Sequence, residues 1–152
     1  MPVLDFDLAL KFVKKAKAIG ARKGADVSVA ILDDSGHPVL VARGKPHSWH
    51  GPYMAMGKAR LAAAFKKPTK DLMEQWEKRP YFPISLVEII PGGVTLNAGA
   101  YPIVINGVCI GAIGVGGGSP VVDDAVALET VKAMKAYQAP SPKKNGPKGK
   151  KK

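Results

Sequence analysis

The stretch that decides the fold is "PIVINGVCIGAIGVGGGSPVVDDA", residues 102–125. Two apolar runs flank Asn106-Gly107, the strongest short-range hairpin cue, because both turn residues must tolerate positive φ. The runs lack polar–apolar alternation, which predicts strands covered on both faces or at an interface. Gly111 and Gly114 leave room for another backbone or a helix to approach. Beyond Gly116-Gly117-Gly118, Ser119 fits an N-cap and Pro120 a first helical position. Asp123 and Asp124 fall near the first turn, where carboxylates are favoured. A helix carrying Val122, Val126, Val131 and Met134 follows.

Working outward, "DVSVAILDDSGHPVLVARG" (26–44) reads as a first hairpin around Gly36. Residues 5–19 read as a surface helix with Asp5 as cap and Gly20 as stop. A second helix is expected over 49–66 from near Pro52, and a short third from an N-cap at Thr69 to before Pro80. Leu86–Ile90 reads as a short strand before a Pro-Gly-Gly turn, while pattern leaves Thr95–Ala100 unassigned. The order of elements predicts an α+β fold, a central antiparallel sheet flanked by helices, in a single domain.

The chain has 152 residues, 46% of them hydrophobic, enough for one core without staples. Its single cysteine, Cys109, lies in an apolar run; it excludes an internal disulfide and a cysteine metal cage. Of the net charge of +11, six lysines belong to the tail 139–152, leaving +5 for a body without a dense basic stripe. The expected organisation is a domain over 1–138 and a disordered basic tail over 139–152. That balance argues against nucleic acid as the main partner and leaves the tail as a solvated segment or weak polyanion handle. No run approaches the ~20 apolar residues of a membrane span, and "MPVLDFDLALKFVKK" lacks a signal peptide's basic start. A soluble, cytoplasmic protein is expected.

"GVGGGSP" matches neither phosphate-loop signature, so its glycines are expected to make a tight turn that exposes backbone to a small ligand. In "KPHSWHGPY" (45–53), His47 and His50 are spaced i, i+3 without a carboxylate to complete a triad, so no metal site is predicted. His47 or His50 as axial ligand to a porphyrin iron, walled by Trp49 and Tyr53, is one reading of this segment. Exposed aromatics at a subunit contact are the other. Lys58 falls on the stripe of Met54, Leu61 and Phe65. Snorkelling to solvent is the default for such a lysine. The sharper reading is a cation facing a pocket, binding a ligand carboxylate or acting in catalysis.

"VSVAILDDSGHPVLVAR", "KARLAAAFKKPTKDL", "PGGV" and "YPIVINGVCIGAIGVGGGSPVVDDAVA", in that order, resemble the GlcG/HbpS haem-binding-like family. That family includes the C-terminal domain of PduO-type corrinoid adenosyltransferases. The resemblance covers about residues 3–136 and implies a compact α+β domain forming homo-oligomers, with haem bound by some members. Lys58, Gly92, Gly93, Gly117, Gly118 and Asp123 fall on motif positions where it implies a ligand pocket. Two departures, the inserted "TLNAGA" (95–100) and the "KPHSWHGPY" entry to the second helix, lie where such a pocket would be walled. The expected function is therefore a homo-oligomeric small-ligand-binding protein, with haem or a related planar cofactor as nominal ligand. The alternative is a metal-independent enzyme acting on a small organic acid or carbonyl compound. In it Lys58 would polarise the substrate and His50 would move protons.

Overall fold

The computed structural model describes residues 2–137; the tail predicted over 139–152 lies outside the described residues. The chain runs α1 (Phe6–Arg22), β1 (Ser28–Asp33), β2 (Pro38–Ala42), α2 (Gly51–Phe65), α3 (Thr69–Gln75), α4 (Tyr81–Ile89), β3 (Ala100–Ile105), β4 (Val108–Gly116) and α5 (Pro120–Ala133). The strands form one antiparallel sheet in the order β2-β1-β4-β3. Asn106 (φ 52°) and Gly107 (φ 77°) make the two-residue turn between β3 and β4, both left-handed as such hairpins require.

Both faces of the central strands are covered, which is why β1 and β4 read as unbroken apolar runs. Val29, Ile31, Ile113 and Val115 point into the core beneath α1 and α5. Ala30, Leu32 and Ala112 point the other way, against Ala55, Ala59, Ala62 and Ala63 of α2. Alanine on both sides lets α2 lie close to the sheet. Gly114 completes that approach, since a Cβ there would collide with the Ala55 carbonyl. A third cluster joins Leu61 of α2 to Leu72, Trp76 and Leu86, with Phe65, Phe82 and Ile90 packed around them.

Three expectations are corrected. Residues 86–89 belong to helix α4, not to a strand. Phe82, Leu86 and Ile90 repeat every four residues and face Trp76 and Leu61, a helical period hidden by the β-branched run. Thr69 is not an N-cap: Pro68 takes that place, and the Thr69 hydroxyl accepts the Ala100 N–H at 3.1 Å. Helix α1 passes through Gly20 to Arg22, because the left-handed residue that ends it is Gly24. Asp5 and Ser119 do cap their helices, accepting the N–H groups of Leu8 and Val122.

Candidate functional site

At the end of the sheet where β4 gives way to α5, the start of α2 stands opposite the triple-glycine bend. Between them lies a cavity of about 210 Å3 lined by His50, Met54, Lys58, Asn97, Gly117 and Asp123, with Gly116 and Gly118 at its edge.

Lys58 does not snorkel. Its side chain is 2% exposed, and Nζ donates to the Val115 carbonyl at 2.9 Å and to Asp123 Oδ2 at 3.0 Å. The lysine sits on the face of α2 that holds Ala55, Ala59 and Ala62, whereas Leu61 belongs to the third cluster and Met54 is 36% exposed. Asp123 is equally buried, and its other oxygen accepts the Gly118 N–H at 2.9 Å. One carboxylate thus ties α2 to the glycine bend. Gly99 (φ 127°) roofs the pair. A Cβ there would lie 2.9 Å from Asp123 Cβ, 2.9 Å from the Val115 carbonyl oxygen and 3.1 Å from Lys58 Nζ. Two acceptors satisfy two of the three ammonium donors, and Lys58 also lines the cavity.

His50 occupies the N-cap position of α2, makes no capping bond and is exposed at the cavity's mouth. Trp49 and Tyr53 are exposed beside it, at 66% and 65%. The Trp49 ring meets the His50 ring edge-on at 5.9 Å and the Tyr53 ring edge-on at 6.2 Å. His47 is exposed in the loop before them and does not line the cavity. Gly117 and Gly118 lie at the cavity with Lys58, His50 and Asp123. Gly92 and Gly93 lie elsewhere, where their carbonyls accept Arg60 Nη1 at 2.9 and 2.6 Å. Among the described residues no group of three His, Cys, Asp or Glu side chains could hold a metal ion.

Asn97, Gly99 and Met54 were not singled out from sequence. The first two belong to "TLNAGA", which crosses α2 at Gly57, where a Cβ would crowd the backbone and side chain of Thr95. That glycine inside a helix was the available signal.

A four-stranded antiparallel sheet between helical layers, with a polar hollow where a helix start faces a glycine bend, defines an α+β domain of the HbpS-like fold. The chain belongs to the family described as "Haem degrading protein HbpS-like", whose model matches residues 4–132. Protein GlcG of Escherichia coli strain K12 is 28% identical over 115 residues, 74% of this chain and 81% of that protein. A crystal structure of a double mutant of Streptomyces reticuli HbpS superposes with a TM-score of 0.76 at 26% identity, covering 88% of each chain. The structure of a PduOC:heme complex matches with a TM-score of 0.76 over 90% of this chain and all of that one. At 23% identity it supports the fold alone. Among the described residues no helix is long and apolar enough to cross a membrane.

Proposed function

We propose that this protein binds haem or a related planar cofactor at the mouth of the His50 cavity, as a homo-oligomer. The observation that carries this reading is the uncapped, exposed imidazole of His50 beside two exposed aromatic rings. Pockets that enclose a drug-sized ligand measure about 300–1,000 Å3, so a cavity of about 210 Å3 is too small to enclose a porphyrin. A macrocycle would instead rest against the open face, where His50 would supply an imidazole to its iron and Trp49, or Tyr53 at 77° to it, would supply aromatic surface. Haem would supply redox chemistry at its iron. The chain's own contribution would be an exposed imidazole beside aromatic surface, with His47 as the competing ligand three residues away. Val121, 80% exposed beside Pro120 at the cavity, supports a contact with further copies.

Hemin titration tests it. The purified chain should give a sharpened, shifted Soret band that is lost in His50→Ala and retained in His47→Ala. Loss only in His47→Ala would move the ligand to that residue, and no shift in the parent chain would overturn the reading.

A second reading rests on a separate observation: Lys58, Asp123 and His50 line one small cavity. It is an enzyme acting on a small organic acid or carbonyl compound. The spare Lys58 donor would hold the substrate oxygen and His50 would carry a proton at the mouth. Absence of a Soret shift, with a small carboxylate protecting the cavity amides from exchange, would favour it.

A further inference from the structure

A cleft of about 590 Å3 lies at the opposite end of α2, about 24 Å from His50 by the helical rise. Its polar lining includes Lys66, Lys67 and Lys135 beside Gln75 and Asn106, the Lys67 ammonium donating to Gln75 Oε1 at 2.9 Å, with Asp71 as the one carboxylate. Pro68, Pro102 and Val104 supply apolar surface, and Tyr137 closes one side. Burial, reinforced by Asp71 and Asp124, raises the Tyr137 phenol above its ordinary value.

The backbone around this cleft is unusual. Among the described residues the non-glycine positions with positive φ are Lys66 (53°), Asn106 (52°) and Lys135 (53°), and all three line it. Asn106 is accounted for by its hairpin turn. The two lysines occupy the left-handed positions that end α2 and α5, where glycine is the favoured residue. Lys135 closes its helix with the Ala136 N–H donating to the Val131 carbonyl at 2.8 Å, a bond glycine would allow equally well. The cap geometry therefore accounts for the conformation and not for the choice of side chain. A lysine near a helix C-terminus does gain from the dipole, yet such a gain does not require two lysines from separate helices to share one cleft.

We propose that this cleft is a second binding site, for a small organic polyanion of the phosphate or carboxylate type carried on an apolar body. Lysine ammoniums act as point charges suited to either anion. Asp71 would accept a hydroxyl or amine of the ligand, and the proline and valine surface would take its carbon frame. The volume falls in the range of small-molecule sites.

The left-handed lysines permit a clean test, because glycine there removes charge while suiting the backbone. Full-length chain and the Lys66→Gly/Lys135→Gly variant would be titrated calorimetrically with pyrophosphate and with citrate at low and moderate salt. The expected result is saturable one-to-one binding of at least one probe. The variant should bind it at least about tenfold more weakly, with a thermal midpoint no lower than the parent's. The preferred probe identifies the anion type. Should the glycine pair lower the midpoint, Lys66→Asn/Lys135→Asn, also tolerant of positive φ, replaces it. Equal affinity in parent and variant would assign the binding to the tail or to general surface charge and overturn the proposal, as would no saturable binding of either probe. His50→Ala should leave this binding intact, so it stands or falls apart from the haem reading.

Discussion

Replacing Lys58 by methionine should destabilise the fold far more than a surface lysine would. At the observed 3.0 Å the Lys58–Asp123 attraction has a gross value of about 5 kcal/mol, taking an effective dielectric near 20. Removing two charges from water offsets this by several kcal/mol per ion, leaving the pair near break-even as a unit. Losing one partner is different. Lys58→Met would strand the buried Asp123 carboxylate with the Gly118 N–H as its remaining donor, at a cost of about 3–5 kcal/mol. For a domain of this size that corresponds to a thermal midpoint lower by about 6–20 °C. Lys58→Met/Asp123→Leu should recover much of the loss, because no unpaired charge remains, although the bend would still lack its carboxylate. Urea denaturation of parent, both single variants and the double variant gives the coupling directly. A Lys58→Met chain within about 0.5 kcal/mol of the parent would refute the buried pair, and with it the tie between α2 and the glycine bend.

Two further outcomes are expected. Gly99→Ala should lower the thermal midpoint sharply, by about 2 kcal/mol or more in stability, since its Cβ has no room above Asp123 and φ is 127°; an unchanged midpoint would show that the roof can move. Tyr101 is buried and donates its hydroxyl to Asp124 at 3.0 Å. Burial first, and then the Asp124 carboxylate, hold its phenol well above the usual value. The folded state thus favours the protonated phenol, so this stabilisation is intact below about pH 10 and is lost as pH climbs beyond the unfolded value. Urea stability measured from neutral to strongly alkaline pH should fall less steeply in Tyr101→Phe than in the parent.

The sheet was legible because its signals are local. Asn106-Gly107 names its own turn, and the unalternating runs of β3 and β4 say that both faces are covered. Ser119 and Asp5 announce helix starts by the chemistry of a single oxygen. Helix α4 was misread because Leu86–Ile90 has strand composition, and only its partners Trp76 and Leu61, distant in sequence, select the four-residue period. Thr69 went wrong for a related reason: the Ala100 N–H that claims its hydroxyl comes from a strand 31 residues later. Lys58 was visible as a misfit on an apolar helix, but not its partner's geometry. Whether a misplaced lysine reaches solvent or an acceptor depends on how closely the sheet end approaches, which no spacing encodes. Gly99, over that pair, and Asn97, at the cavity, lay in a stretch with no periodicity to read.

The alanine seam between α2 and the sheet has a consequence for how this domain can diversify. Long interdigitating side chains can re-pack to let a helix slide, whereas Ala55, Ala59 and Ala62 over Ala30, Ala112 and Gly114 offer almost no play. The helix behaves as a fixed rail against the sheet. Variation within the domain would therefore fall on the chain that bridges over it at Thr95, residues 94–99, rather than on the seam.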